Sequence, residues 1–326
     1  MFPIERPRRL RRTGALRQLV AETTLNPGDV VAPLFVAEGR DAPRDITSLP
    51  GHVQHTLESL SDEVRALHAR GVGGILLFGV PATKDEVGSG AYDDQGIVQV
   101  ALRRVRDEFG DELVIMADLC LDEYTSHGHC GVLRADGAVD NDATLDLYGR
   151  TAVAQARAGA AVVAPSGMMD GQVGAIREAL DAEGYVDTVI MAYSAKYASA
   201  LYGPFREAVG VEIAHGGDRR SYQQDYRNRR EAWREARLDV DEGADIIMVK
   251  PAMTYLDILA DLRREVDAPL CAYHVSGEYA MIKAAAERGW IDGDAVALEQ
   301  LTALRRAGAD FVLTYFAREI AEVLQA

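Results

Sequence analysis

TVIMAYSA, residues 188–195, is an apolar run of β-branched and aromatic residues followed at once by Lys196, and DIIMVKPA, residues 245–252, is a second such run that carries Lys250 near its end. Continuous apolar runs of this length predict strands buried on both faces, as in a parallel sheet covered by helices. Six more such runs flank the pair. VVAPLFV (30–36), GGILLFGV (73–80), LVIMADLC (113–120) and AVVAPS (161–166) precede it; PLCAYHVS (269–276) and FVLTYFA (311–317) follow. Helical patterns lie between them, among them LESLSDEVRALHARG (57–71), GIVQVALRRVRDEFG (96–110) and ATLDLYGRTAVAQARAGA (143–160), and several close at glycine, as helix C-termini do. Eight buried strands alternating with helices predict a (β/α)8 TIM barrel over residues 30–326; an open doubly wound sheet is the alternative, and eight units in series favour closure. Residues 1–29 precede the first strand and read as an arm for subunit contacts. The connection from Tyr197 to Ala244 is unusually long and rich in Arg, Asp, Gly and Tyr, which predicts a lid around 203–232.

The 326 residues are 48% hydrophobic, enough for a large core. No run approaches the roughly 20 apolar residues of a membrane span, and the basic start MFPIERPRRLRR has no apolar stretch behind it as a secretory signal would. The cytoplasm is therefore the expected compartment. A net charge of −16, from 51 acidic and 35 basic residues, argues against nucleic acid as a partner. Only four of the basic residues are lysine: Lys84, Lys196, Lys250 and Lys283. An acidic, arginine-rich chain fits a GC-rich genome and also a salt-adapted cytoplasm, where salt screens self-repulsion. Three cysteines, Cys120, Cys130 and Cys271, are too few and too odd in number for a disulfide framework, and Cys271 reads as a core residue.

Active sites of such barrels form at the C-terminal ends of the strands. There the chain places Asp118 and Cys120 on the third strand, Lys196 after the fifth, and Lys250 near the end of the sixth. His274 and Ser276 follow on the seventh, and Tyr315 on the eighth. Half of all lysines thus sit on adjacent strand ends. An ammonium in apolar surroundings beside a second ammonium is disfavoured, which frees the amine to attack a carbonyl; the plainer reading is a pair of rim salt bridges. DLCLDEYTSHGHCG (118–131) gathers Cys120, Asp122, His127, His129 and Cys130 in one loop, a donor set suited to zinc, although its spacing matches no common structural zinc motif and a loop of reduced cysteines with capping groups is equally compatible. Arg206 in YGPFR, with Arg219 and Arg220 in GDRR, offers forks for carboxylates. A class I aldolase, with one Schiff-base lysine, and a non-catalytic binding protein on the same fold are rival readings.

PLFV, TSHGHCG, APSGMMDG, YSAKYAS, YGPFR, GDRRSYQ, MVKPA and YHVSGEYAM, in this order over nearly the whole chain, resemble the porphobilinogen synthase (5-aminolevulinate dehydratase) family. The resemblance implies condensation of two 5-aminolevulinate molecules to porphobilinogen with loss of two waters, a lyase reaction of tetrapyrrole (heme) biosynthesis, on a barrel assembled as a homo-octamer. It implies Schiff bases on Lys250 for the propionate-side substrate and on Lys196 for the acetate-side one. Arg206, Arg219 and Gln223 would hold the acetate-side carboxylate, Ser276 and Tyr315 the propionate-side one, and Asp118 would transfer protons. The zinc-dependent branch has three cysteines in the loop where this chain has Cys120, Asp122 and Cys130, so a mixed zinc site is expected, with selectivity softened towards magnesium. Glu235 matches a glutamate that anchors an allosteric magnesium at subunit contacts.

Overall fold

Val30–Ala37 (β1) lies at the centre of the chain's closure. It pairs in parallel with Gly74–Val80 (β4) on one side, while Val30 and Val31 pair with Val312 and Leu313 of the last strand on the other. The computed structural model describes residues 2–213 and 217–325. Two short strands, Arg44–Asp45 (β2) and Val53–His55 (β3), form an antiparallel pair, and β3 adds to β1 at Phe35 and Val36, past the point where the last strand has ended. The barrel continues through Val114–Leu119 (β5), Val162–Pro165 (β6), Val189–Lys196 (β7), Ile246–Lys250 (β8), Leu270–His274 (β9) and Phe311–Thr314 (β10), each parallel to the next. The eight-stranded parallel barrel is therefore closed, as the serial apolar runs predict, and the open sheet is excluded.

Gly14–Leu19 (α1) lies in the N-terminal segment, and helices cover the barrel from there on: Leu57–Ala69 (α2), Ile97–Phe109 (α3), Asn141–Arg157 (α4), Gln172–Ala182 (α5), Gly203–Val209 (α6), Arg230–Asp241 (α7), Leu256–Glu265 (α8), Ser276–Glu287 (α9), Gly293–Ala307 (α10) and Ala317–Gln325 (α11). Their starts follow capping chemistry. Thr56 accepts from the Ser59 N–H before α2, Asp140 from Ala143 before α4 and Asp292 from Ala295 before α10, each contributing about 1 kcal/mol. α2 buries Leu60, Val64 and Leu67 on one stripe, each such side chain stabilising by roughly 1.5–3 kcal/mol. No helix among the described residues is long and apolar enough to cross a membrane.

Two segments differ from a plain barrel. From Phe2 to Thr24 no residue is buried, and Phe2, Ile4 and Leu19 are exposed. The long connection after β7 is not structureless: it holds α6 and α7. Of the lid expected around 203–232, residues 214–216 lie outside the described residues.

Candidate active site

β7 carries the feature that builds the site. Ala192 pairs with Ile247 and Ala195 with Val249, so β7 spends three residues where β8 spends two. This one-residue bulge reverses the in–out alternation along β7. Tyr193 and Lys196, three apart, would face opposite sides of an unbroken strand; the bulge turns both into the barrel mouth and brings Lys196 into direct register with Lys250. The Lys196 Nζ lies 5.4 Å and the Lys250 Nζ 5.0 Å from the centroid of the same Tyr193 ring. Only 4% and 5% of these lysines remain exposed.

Each amine has its own surroundings. Lys250 sits among aromatic faces, 4.4 Å from the Tyr273 centroid, 5.1 Å from Phe205 and 5.3 Å from Tyr202. Burial, and then the neighbouring Lys196, pull its pKa from 10.5 down to about 7, so a large share of free amine exists near neutrality. The Lys196 amine donates to the Ser166 carbonyl, and the Ser166 hydroxyl donates to Asp118 at 3.0 Å. Burial raises the Asp118 carboxyl to about 6, against the pull of Lys250 and Lys196. Its Oδ1 and the Tyr193 hydroxyl are both buried with no hydrogen-bond partner among the described residues. Ser166 and Tyr193 were missed in the sequence. Ser166 was findable, as the polar residue ending an apolar run; Tyr193 was not, because its inward direction depends on the bulge.

The loop after β5 brings Cys120, Asp122 and Cys130 together, their ligand atoms within 4.8 Å of one another and all three side chains buried. His127 and His129 are not part of this group: His127 Nε2 meets the Glu86 carbonyl and His129 Nδ1 the Tyr222 hydroxyl. Two thiols and one carboxylate form a three-ligand set, a donor chemistry that fits zinc. Tyr148 supports the cluster, its hydroxyl donating to the Cys130 carbonyl and lying 3.8 Å from the Cys120 sulfur. Gly167 is required against it, since a Cβ there would fall 1.6 Å from the Tyr148 oxygen. Burial pushes the Cys120 thiol up.

Arg219 is buried against this loop. Its Nη2 lies 2.7 Å from Asp122 Oδ2 and donates to the Gly128 carbonyl at 2.8 Å. Burial alone would raise the Asp122 carboxyl, but the Arg219 guanidinium, with Lys196, holds it well below the usual carboxylate range. Arg206, on α6, faces the same cavity as Asp118, Asp122, Lys196, Lys250 and Arg219. Burial and the charge of Arg219 lower its pKa, and it makes no ion pair with the described residues. Arg206, beside Arg219 and without a carboxylate partner of its own among the described residues, is suited to bind an anion.

The other expected residues stand further off. The Ser276 hydroxyl accepts from the Phe205 N–H and donates to the Leu201 carbonyl, and the Tyr315 hydroxyl meets that of Tyr273 at 3.1 Å, one ring behind Lys250. Gln223, its Nε2 buried and without a partner among the described residues, lines a separate groove with Asp170, Arg220 and Glu235. Glu235 belongs to no group of three metal-ligating side chains among the described residues, and burial, then Asp170, raise its carboxyl. His274 points away from the mouth, held between Thr314 and Gln300, and Cys271 is a core residue.

The family model for Delta-aminolevulinic acid dehydratase matches residues 4–323. The delta-aminolevulinic acid dehydratase of Mycobacterium tuberculosis H37Rv is 60% identical over 322 residues, covering 98% of this chain and 97% of that protein. The Streptomyces coelicolor protein of that name is 57% identical over 326 residues, covering 99% and 98%. The crystal structure of delta-aminolevulinic acid dehydratase (porphobilinogen synthase) from Toxoplasma gondii ME49, in complex with the reaction product porphobilinogen, superposes with a TM-score of 0.97 at 45% identity, covering 99% of this chain and 92% of that one. With two registered lysines at its barrel mouth, the chain belongs to the delta-aminolevulinic acid dehydratase family.

Proposed function

We propose that the chain condenses two molecules of 5-aminolevulinate into porphobilinogen, each substrate held as an imine on its own lysine. One observation carries the reading: Lys196 and Lys250 are registered partners over a single Tyr193 ring. Each imine forms when the lysine amine attacks the substrate ketone and the carbonyl oxygen leaves as water. One carbon–carbon and one carbon–nitrogen bond then join the substrates, both lysines are regenerated, and two waters are lost overall. Holding both substrates replaces a bimolecular encounter by a fixed geometry. Lys250, titrating near 7, supplies the neutral amine for the propionate-side substrate, and Lys196 holds the acetate-side one. Asp118, with a carboxyl near 6, and the Ser166 hydroxyl bonded to it are placed to take and return protons beside both amines.

Arg206 and Arg219, with Gln223 moving in from its groove, take the acetate-side carboxylate; Ser276 and Tyr315 take the propionate-side one once their hydroxyls turn from their present protein partners. Cys120, Asp122 and Cys130 would hold zinc, with magnesium as the substitute a carboxylate ligand allows, and such an ion would supply Lewis-acid polarisation at the substrate. Glu235 would anchor an allosteric magnesium completed by a second subunit. The unburied arm would cover its exposed Phe2, Ile4 and Leu19 on a neighbouring copy in a homo-octamer, and the enzyme would work in the cytoplasm. Pyrrole formation by Lys250→Met and Lys196→Met tests the core of the reading: both variants lose turnover by several orders of magnitude, and near-normal turnover in either would contradict it. Stimulation by Mg²⁺ that disappears in Glu235→Ala tests the allosteric site.

A further inference from the structure

We infer that Arg219 and Asp122 form an exchange pair that couples metal binding to capture of the substrate carboxylate; the inference rests on the reading above. Asp122 belongs to two groups at once. It is the carboxylate of the Cys120–Asp122–Cys130 cluster, and it is the ion-pair partner of Arg219 at 2.7 Å, with both side chains buried. Arg219 is likewise incompletely used: its Nη2 serves both Asp122 and the Gly128 carbonyl, while its Nε is buried with no partner among the described residues. Beside it Arg206 faces the same cavity with no ion pair to the described residues.

The two occupants of the site therefore compete for the two halves of one pair. A cation on Asp122 weakens the hold of that carboxylate on Arg219. A substrate carboxylate on the guanidinium weakens its hold on Asp122. Either event alone leaves a buried charge short of its partner, which is costly; both together give each charge a new partner. Metal and keto acid thus favour one another. The device requires a carboxylate at position 122, since a thiol there would give Arg219 no comparable anion in the apo site.

The test is zinc affinity by chelator competition, with and without saturating 4-oxopentanoate, the substrate skeleton lacking the amine. This probe cannot ligate metal through an amino nitrogen, so any coupling runs through its keto and carboxylate ends. The wild type binds zinc on the order of tenfold more tightly with the keto acid present, within the range of ordinary site–site coupling. Asp122→Cys, which retains three ligands but no anion for Arg219, loses the coupling; Arg219→Met removes it from the other side and serves if the first variant does not fold. Equal zinc affinity with and without a keto acid shown by borohydride trapping to be bound at Lys196, the lysine served by Arg206 and Arg219, would overturn the inference, as would undiminished coupling in Asp122→Cys. Failure to trap the keto acid on either lysine would instead remove the Schiff-base reading beneath it.

Discussion

Replacing Lys250 by methionine is predicted to make the protein more stable while abolishing its activity, with the gain depending on pH. The folded chain holds this amine at about 7 where an ordinary lysine titrates at 10.5. A gap of that size, at about 1.4 kcal/mol per unit, represents roughly 5 kcal/mol. The group is fully buried, so solvent screening does not reduce the figure greatly. The pKa is depressed in the folded state, so between about 7 and 10.5 the unfolded chain binds a proton that the folded chain does not. Folding stability therefore rises with pH across that window, and below it the folded state bears the whole cost of a buried ammonium. Methionine has similar length and suits the ring of Tyr193, Tyr202, Phe205 and Tyr273. Asp118 loses a neighbouring cation, which offsets part of the gain. The expected net is roughly 3–5 kcal/mol in favour of Lys250→Met near pH 6.5, shrinking towards zero as pH approaches the ordinary lysine value. Urea unfolding at several pH values and fixed protein concentration measures it. A variant no more stable than the wild type near pH 6.5, or a difference flat with pH, would refute the reasoning.

Ser166→Ala should leave the fold intact but lower turnover roughly 10–100-fold, because both the Asp118 contact and its proton route pass through that hydroxyl; unchanged turnover would remove Ser166 from the chemistry. Gly128→Ala meets a backbone at φ +71° and a new Cβ 2.4 Å from the Glu212 carbonyl, so it should cost roughly 1–3 kcal/mol in unfolding experiments and separate the metal-binding loop from the segment carrying Arg219. Protein purified without added metal should contain close to one zinc per active Cys120–Asp122–Cys130 cluster by elemental analysis, and a zinc-free, fully active preparation would contradict the assigned donor set.

The barrel was legible because burial on both faces leaves continuous apolar runs. All eight runs became strands, with ends displaced by at most three residues, as from 188–195 to Val189–Lys196 and from 311–317 to Phe311–Thr314. β2 and β3 were not legible, since two- and three-residue strands carry no period. In the sequence the long connection after β7 reads as loop because its turn-rich middle hides α6 and the start of α7. At the site, the lysines could be found from their rarity and their place at strand ends. The bulge that faces them together could not, because nothing in MAYSAK distinguishes a regular strand from one with an extra residue. Nor could the Arg219–Asp122 pair, whose members meet only because the loop after β5 and the segment after α6 fold over the same mouth.

Two amines at one barrel mouth each carry a substrate in the proposed reaction. Borohydride reduction in the presence of 5-aminolevulinate, followed by peptide mass mapping, tests it most directly. Adducts should appear on Lys196 and on Lys250, with Lys84 and Lys283 unlabelled and the single variants each retaining the label on the remaining lysine. Labelling confined to one of the two whatever the substrate concentration, or found on neither, would contradict the account.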